Sequence, residues 1–377
     1  MPSDAALRQS PLDDRHRGLG AKLTAFAGWE MALDYGSVVA EHDAVRTACG
    51  VFDLSHLGMF TVAGDGAADA LQHAFTNDIE RLRTGRAHYT LCCDDRGGIV
   101  DDLLVYRLDH AYLVICNAAN VDAVRASVAD GPGDPRIVDR NDAYACIAVQ
   151  GPASVDVALT AGLDVHGMAF LDCRPLDVPS PGPAASDTGA AAVHEDLDEG
   201  LIARSGYTGE RGYEVVVPAA RAGDLWDRLL AADGAAPAGL GARDLLRLEM
   251  GYPLHGHELH TGTTPAEAGL WFAVAAETDF RGAGPVRAAH EQVTRRLRGL
   301  RATGRGVPRA DQAVLVDGAE VGRTTSGSFS PTLGTGIALA YLDVSVAVGD
   351  HVVIDVRGRE LPATVVRPPF VDADPRD

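Results

Sequence analysis

The sequence predicts an α+β fold: antiparallel sheets with helices, followed by an all-β C-terminal part. Three observations carry that expectation. Short apolar runs alternate with amphipathic stretches over the first two thirds of the 377 residues. Consecutive strand-like runs are joined by tight turns rather than by the long helical crossovers that parallel sheets need. After about Arg281 the texture shifts to short alternating runs punctuated by Gly, Asp and Pro, the pattern of a small β-barrel.

The elements follow in order. Val38 to Ala48 has helical spacing and is expected to end at Gly50 as a C-terminal cap. Gly58–Gly64 reads as a strand and Gly66–Phe75 as a helix. The runs AHYTLCCD and IVDDLLVYRL read as two strands joined by the Asp94–Gly98 turn, where Asp and Gly supply turn chemistry. AYLVICN is a further strand. Cys146–Pro152 is a strand ending in a turn, with a helix expected over Ala153–Ala161. Val178–Gly200, rich in Pro, Ala, Gly and acid, is expected to form an exposed mobile loop. LIARSGYTGERGYEVVVP reads as a strand pair around a Gly-rich turn, and RAGDLWDRLLAA and ARDLLRLEMG as helices, the second capped by Gly251.

Composition narrows the function. Hydrophobic residues make up 46% and no run of 18 apolar residues occurs, which argues against a membrane span. A net charge of −20 repels phosphate backbones and sets nucleic acid aside. The start MPSDAALRQSPLDDRHRG has neither the apolar core of a secretion signal nor the acid-poor character of a transit peptide, so a cytoplasmic location is expected. Lys22 is the only lysine. Two accounts stay open: a GC-rich genome, which favours Arg and Ala codons, and a salty, halophilic cytoplasm, which favours surface carboxylates. The six cysteines form no C-x-x-C pair and sit mostly in apolar runs, so buried free thiols are expected.

Four segments could carry chemistry. In Gly97–Leu103, strand alternation sends Asp101 and Asp102 to opposite faces, one free to face a cavity where a carboxylate steadies positive charge. In isolation the same pair also fits a turn flank in solvent. Ser205–Glu214 offers three glycines for close approach by a ligand, two tyrosine faces and two glutamates, or simply an exposed hairpin. In Gly239–Glu249, Arg243 and Arg247 stand one helical turn apart, able to clamp a carboxylate or to pair with Asp244 and Glu249. In His255–His260, Gly256 interrupts the helix that an H-E-x-x-H metal site needs, so no metal is expected. Nucleophile elbow, Walker and kinase signatures are absent from the sequence.

Taken in order, the segments resemble the glycine cleavage T-protein family over almost the whole chain. The resemblance runs through Phe26-Ala-Gly-Trp29, Glu41-His42, Phe52-Asp53-Leu-Ser55-His56, Thr76-Asn77-Asp78 and Gly97-Gly-Ile-Val-Asp101-Asp102. It continues in Val149-Gln-Gly-Pro152, Gly206-Tyr-Thr-Gly-Glu210, Gly241-Ala-Arg243-Asp244, Thr325-Ser-Gly327 and Ser330-Pro-Thr-Leu-Gly334.

The resemblance implies three domains in a clover leaf around a channel that holds tetrahydrofolate. On that basis residues 1–50 with 140–250 form a first, folate-binding domain and 51–139 a second. Residues 251–280 then connect these to a C-terminal barrel over 281–377. It implies aminomethyl transfer from the lipoyl arm of H-protein to tetrahydrofolate, with P-protein and L-protein as further members of the complex. By position Asp101 looks like the essential acid, and Glu214 and Arg243 look like folate contacts. Tyr89, Tyr207 and Asn117 match positions lining the site. Leu57 stands where Met is usual, and Asp372 where relatives often place a basic or ligand-facing residue. Other folate-dependent one-carbon transferases and demethylases on this scaffold remain alternatives. So does a non-enzymatic folate-binding branch, whose K-G-C-Y-x-G-Q-E motif is replaced here by R-S-G-Y-T-G-E.

Overall fold

The computed structural model describes residues 6–176, 197 and 200–376, so the expected loop over 178–200 lies outside the described residues apart from Leu197 and Gly200. The fold is α+β, with four sheets, one of them a closed barrel.

Two of the sheets are packed face to face. The first has six strands in the order Cys173–Pro175, Leu201–Ala203, Gly212–Pro218, Tyr144–Gln150, Cys49–Asp53, Ala235–Pro237. Neighbours are antiparallel except Ala235–Pro237, which runs parallel to Cys49–Asp53. The second has five antiparallel strands in the order Arg86–Cys93, Ile99–Arg107, Ala111–Cys116, Gly58–Ala63, Arg136–Asp139.

Period-2 alternation gives each sheet two apolar faces. On the six-stranded sheet, Val51, Ile147, Val149, Val215 and Val217 face Leu225, Trp226 and Leu229 of the Ala219–Leu230 helix. Its other face, with Phe52, Ala148 and Val216, shares a core with Met59, Tyr106, Leu113 and Ile115 of the five-stranded sheet. The far face of that sheet, with Phe60, Val62, Val105 and Val114, is closed by Leu71 and Val124 from the helices Ala67–Ala74 and Val121–Ala129. The layers are therefore helix, sheet, sheet, helix. A third, three-stranded sheet (Arg8–Gln9, Trp29–Asp34, Lys22–Phe26) belongs to the N-terminal segment.

The C-terminal β-barrel closes through six strands, with Leu300, Val314, Ala340, Ile354 and Val365 in its core. It is pinned to the rest at the Leu240–Met250 helix, where Leu248 packs on Ile337 and Leu339.

Two sequence expectations meet a different structure. The Val38–Thr47 helix, N-capped by Ser37, ends before a strand that begins at Cys49, so Gly50 is strand and not cap. A Cβ on Gly50 would stand 2.3 Å from Val45 Cγ2, so the glycine answers to strand-on-helix packing. The glycines of the 206–212 turn likewise admit the protein's own side chains. A Cβ at Gly206 or Gly212 would strike Gln150, and one at Gly209 would strike Met250. Gln150 sits in that space as donor to the Ser205 carbonyl and acceptor from Thr208.

Candidate active site

The Ile99–Arg107 strand carries Asp101 into the interior, where it is fully buried. A register shift puts Cys92 opposite Asp101 and Cys93 opposite Ile99, leaving Val100 as a bulge. Such bulges re-aim the side chains beside them. Asp101 shares its sheet face with Leu103, in the core under the two helices. Asp102 takes the opposite face and accepts a hydrogen bond from the Tyr89 hydroxyl at 2.9 Å.

Asn117 draws the two acids together again. It is the first residue past the Ala111–Cys116 strand. Its Nδ2 donates to Asp101 Oδ1 at 2.7 Å and to Asp102 Oδ1 at 3.1 Å. Its backbone N–H donates to Asp101 Oδ2 at 3.0 Å. Asn120, three residues on in a 3-10 turn, donates to Asp101 Oδ1 at 2.8 Å. The donors named here are neutral amides and a phenol, and neutral donors only partly offset desolvation. Burial, with the charge of Asp102 second, pushes the Asp101 carboxyl up to about 7. Burial pushes Asp102 up to about 6.

Tyr89 and Tyr207 form the aromatic part of the site. Burial first and Asp102 second push the Tyr89 phenol well up, so it stays a donor. Tyr207 lies close enough to feel Asp102, and Tyr89 to feel Tyr207. Tyr207 donates its hydroxyl to the Pro253 carbonyl, stacks on Tyr252 at 5.6 Å, and carries the Arg243 guanidinium 4.9 Å over its ring.

Glu214 stands on the central Gly212–Pro218 strand, nearly buried, and accepts from Ser205 Oγ at 2.5 Å. Burial lowers the Arg243 guanidinium and the charge of Glu214 opposes it. One guanidinium nitrogen of Arg243, Nη1, is buried without a hydrogen-bond partner among the described residues. An unpaired buried cationic N–H is costly, and a ligand acceptor would relieve it.

The six residues singled out in the sequence, with Asp102 between them, thus fall into one neighbourhood, linked in the order Asn117, Asp101, Asp102, Tyr89, Tyr207, Arg243, Glu214. Sequence reading missed Asn120, although its i, i+3 spacing from Asn117 was a usable signal. It also missed Phe272, 73% exposed and stacked on Tyr89 at 5.8 Å, and His56, buried and pushed down to about 4 by its burial.

The other candidate segments serve the frame. Arg247 does not join Arg243 in a clamp: it is buried against Asp244, Glu258 and Ser326. Glu249 pairs with Arg46 and His42 rather than with either arginine of its own helix. In HGHELH, Glu258 is held by Arg247 and the Leu254 N–H, and the His257 ring contacts the Thr325 carbonyl at 3.1 Å. A cleft of about 550 Å³ opens beside that segment on the barrel. Its arginines, Arg295 and Arg323, are already paired with Glu267 and Glu320, and we do not read it as the site. All six cysteines are buried as thiols. No helix of the described residues is long and apolar enough to cross a membrane.

Comparison with known proteins covers nearly the whole chain. Residues 12–185 and 192–278 match the GCVT N-terminal domain. Residues 295–372 match the glycine cleavage T-protein C-terminal barrel domain. The chain is 45% identical to an aminomethyltransferase of Parafrankia sp. over 98% of its own length and 99% of the relative's. It is 46% identical to an aminomethyltransferase of Mycobacterium tuberculosis over 97% of each. The crystal structure of glycine cleavage system aminomethyltransferase T from Bartonella henselae superposes with a TM-score of 0.88 at 32% identity, covering 98% of this chain and 99% of that one.

Proposed function

Since the chain belongs to the glycine cleavage T-protein family and is an aminomethyltransferase of the glycine cleavage system, we propose that it moves the aminomethyl group from the lipoyl arm of H-protein onto tetrahydrofolate. The products are methylenetetrahydrofolate, ammonia and dihydrolipoyl H-protein. P-protein and L-protein complete the set of partners, and the reaction belongs in the cytoplasm.

Folate N-5 attacks the methylene carbon. The carbon–sulfur and carbon–amine bonds break in turn, and N-10 closes the ring on the iminium-like carbon. Two protons leave N-5 and N-10; one ends on sulfur and one on ammonia, so the balance closes. Asp101 as carboxylate faces the developing cation and handles the N-10 proton. Preorganised charge of this kind is worth on the order of 3 kcal/mol in a water-poor site. Glu214 accepts from the N–H edge of the pterin, and Arg243 gives its unpaired guanidinium nitrogen to an acceptor on the folate. Tyr89, Tyr207 and Asn117 line the same space. The observation that carries the reading is the buried Asp101, held by Asn117 and Asn120 in one neighbourhood with Arg243 and Glu214.

The test mixes the protein with tetrahydrofolate and aminomethylated H-protein and follows ammonia and methylenetetrahydrofolate. Both are expected in equal amounts. Asp101→Asn is expected to lower kcat by about 100-fold or more and to move folate affinity by less than about threefold. Equal loss of turnover and affinity would remove the role given to Asp101. Folate binding without product would move the reaction to another one-carbon donor or to a binding role.

A further inference from the structure

We propose that Asp102 is a positioning residue that makes Asp101 the proton carrier of the site: the two carboxyl groups hold one proton between them at neutral pH, and Tyr89 keeps Asp102 as the anion. The proposal deepens the aminomethyl-transfer reading and rests on it for the step it serves.

The geometry supplies the argument. A single nitrogen, Asn117 Nδ2, lies 2.7 Å from Asp101 Oδ1 and 3.1 Å from Asp102 Oδ1. Those two oxygens are therefore within about 6 Å of one another, where like charges oppose joint ionisation. A pair this close titrates as a unit.

Burial decides where the proton rests. Asp101 has no exposed surface, whereas Asp102 is partly exposed, so ionising Asp101 costs more. The hydrogen bonds to Asp101 fit a neutral acid. Oδ1 accepts two N–H groups, from Asn117 and Asn120, which fills a carbonyl oxygen. Oδ2 accepts one, from the Asn117 backbone, and keeps room for a proton of its own. Asp102 accepts the Tyr89 hydroxyl, a bond that favours its anion. The other titratable groups facing the pair are Cys92 and Tyr89 on one neighbouring strand, Cys116 on the other, and Tyr207 across the site. Burial pushes each of these four up, so they stay neutral and leave Asp102 as the charge that acts on Asp101.

In the reaction, Asp101 enters carrying the proton and gives it to the departing amine. It then faces the iminium-like carbon as the anion and recovers a proton from N-10 as the ring closes. The N-5 proton goes to the sulfur. Asp102 touches no reacting atom; its charge returns Asp101 to the protonated state for the next turn.

Infrared difference spectroscopy on the whole protein, titrated from pH 5 to 9, reads the shared proton without any substrate. The wild type is expected to show a protonated carboxyl stretch that persists to a pH of about 7. In Asp101→Asn that stretch is missing at neutrality, and only the Asp102 band, which fades at a pH of about 6, remains on the acid side. In Asp102→Asn the fade is expected to move down by about one pH unit or more, because the neighbouring charge is gone. The alkaline limb of the kcat profile should move with it, while KM for tetrahydrofolate stays within about twofold. Asp102→Glu, which returns the charge, should restore both. A wild-type spectrum without that stretch at pH 6 overturns the proposal even if a variant fails to fold. So does a kcat loss in Asp102→Asn with an unmoved pH profile, the mark of a merely structural residue. If the transfer assay fails while the stretch behaves as stated, the fault lies in the assigned reaction and not in the pair.

Discussion

Asp101 and Glu249 are buried to the same degree, at 0% and 1% exposure, and are driven in opposite directions. Burial works to raise both. At Glu249 it is outweighed by His42 Nε2 at 2.9 Å, Ser330 Oγ at 2.5 Å and the Arg46 guanidinium at 2.8 Å, and the carboxyl falls to about 2. At Asp101 the donors are amides and the nearest charge is another carboxylate, and the carboxyl rises to about 7. The difference separates two uses of a buried acid. Glu249 ties the Val38–Thr47 helix, its own helix and the barrel residues Ser330 and Thr332 into one ionic knot. Asp101 is tied to the neighbouring Asn117 and Asn120 and is left poised near neutrality, the condition that the proposed proton transfer needs.

The largest effect that could break this contrast is on stability. Glu249→Ala leaves the partly buried Arg46 without two of its hydrogen bonds and His42 without its carboxylate. Removing one member of a buried ion pair costs about 3–5 kcal/mol. Urea unfolding should show that loss in Glu249→Ala and a smaller one of about 1–2 kcal/mol in Asp101→Asn, whose amide nitrogen cannot accept the Asn117 or Asn120 N–H it would face. Should Asp101→Asn prove as damaging as Glu249→Ala, the two acids are both structural and the contrast is lost.

How far the sequence revealed this difference depends on the range of each contact. The Asp94–Gly98 turn, the Gly251 cap and the barrel strands are local, set by turn chemistry and alternation, and stand where the residues place them. Gly50 was misread because the atom that requires a glycine, Val45 Cγ2, comes from a packed helix and not from the turn. Arg243 and Arg247 look alike on one helix, yet one faces a tyrosine ring and the other is sealed by Glu258 and Ser326. That sorting requires the barrel to be in place. The Glu249 knot draws on positions 42, 46, 330 and 332, and no spacing rule links them. The bond from Tyr89 to Asp102 follows from strand register across a bulge, which alternation alone does not supply. The resemblance put Asp101, Glu214 and Arg243 forward, but as positions, with no account of what makes each one fit its task.

A smaller effect sharpens the contrast through pH. Glu249 falls from 4.5 to about 2 on folding. The unfolded chain therefore takes up the proton first as pH falls, and the stability this group contributes is full above 4.5 and lost towards 2. At about 1.4 kcal/mol per unit of pKa it is worth on the order of 3 kcal/mol. Asp101 has the opposite sign. Its value rises from 3.8 to about 7, so the folded chain holds the extra proton and stability declines as pH climbs through that window. Urea midpoints from pH 2.5 to 8 should show Glu249→Gln flattening the acid side and Asp101→Asn flattening the slope between pH 4 and 7. If each variant flattens the other's window, the two assignments are reversed.

The smallest expected effect comes from the surface, where charge is neither knotted nor poised. The chain has 53 acidic against 33 basic residues. Exposed pairs such as Arg15 with Asp227 and Arg125 with Asp139 are worth under about 1 kcal/mol each, and the acidic excess repels itself. Screening reaches only about 3 Å at 1 M salt but about 10 Å at 0.1 M, so the repulsion grows as salt is withdrawn. The melting temperature is expected to fall by a few degrees between 1 M and 0.05 M potassium chloride. The infrared edge of the buried carboxyl pair should not move over the same range, because charges inside the protein are screened far less than those outside. An unchanged melting temperature would assign the acidic excess to codon usage and not to a salty cytoplasm. An infrared edge that moved with salt would mean that water and ions reach Asp101, and the dry, poised carboxyl that distinguishes it from Glu249 would no longer stand.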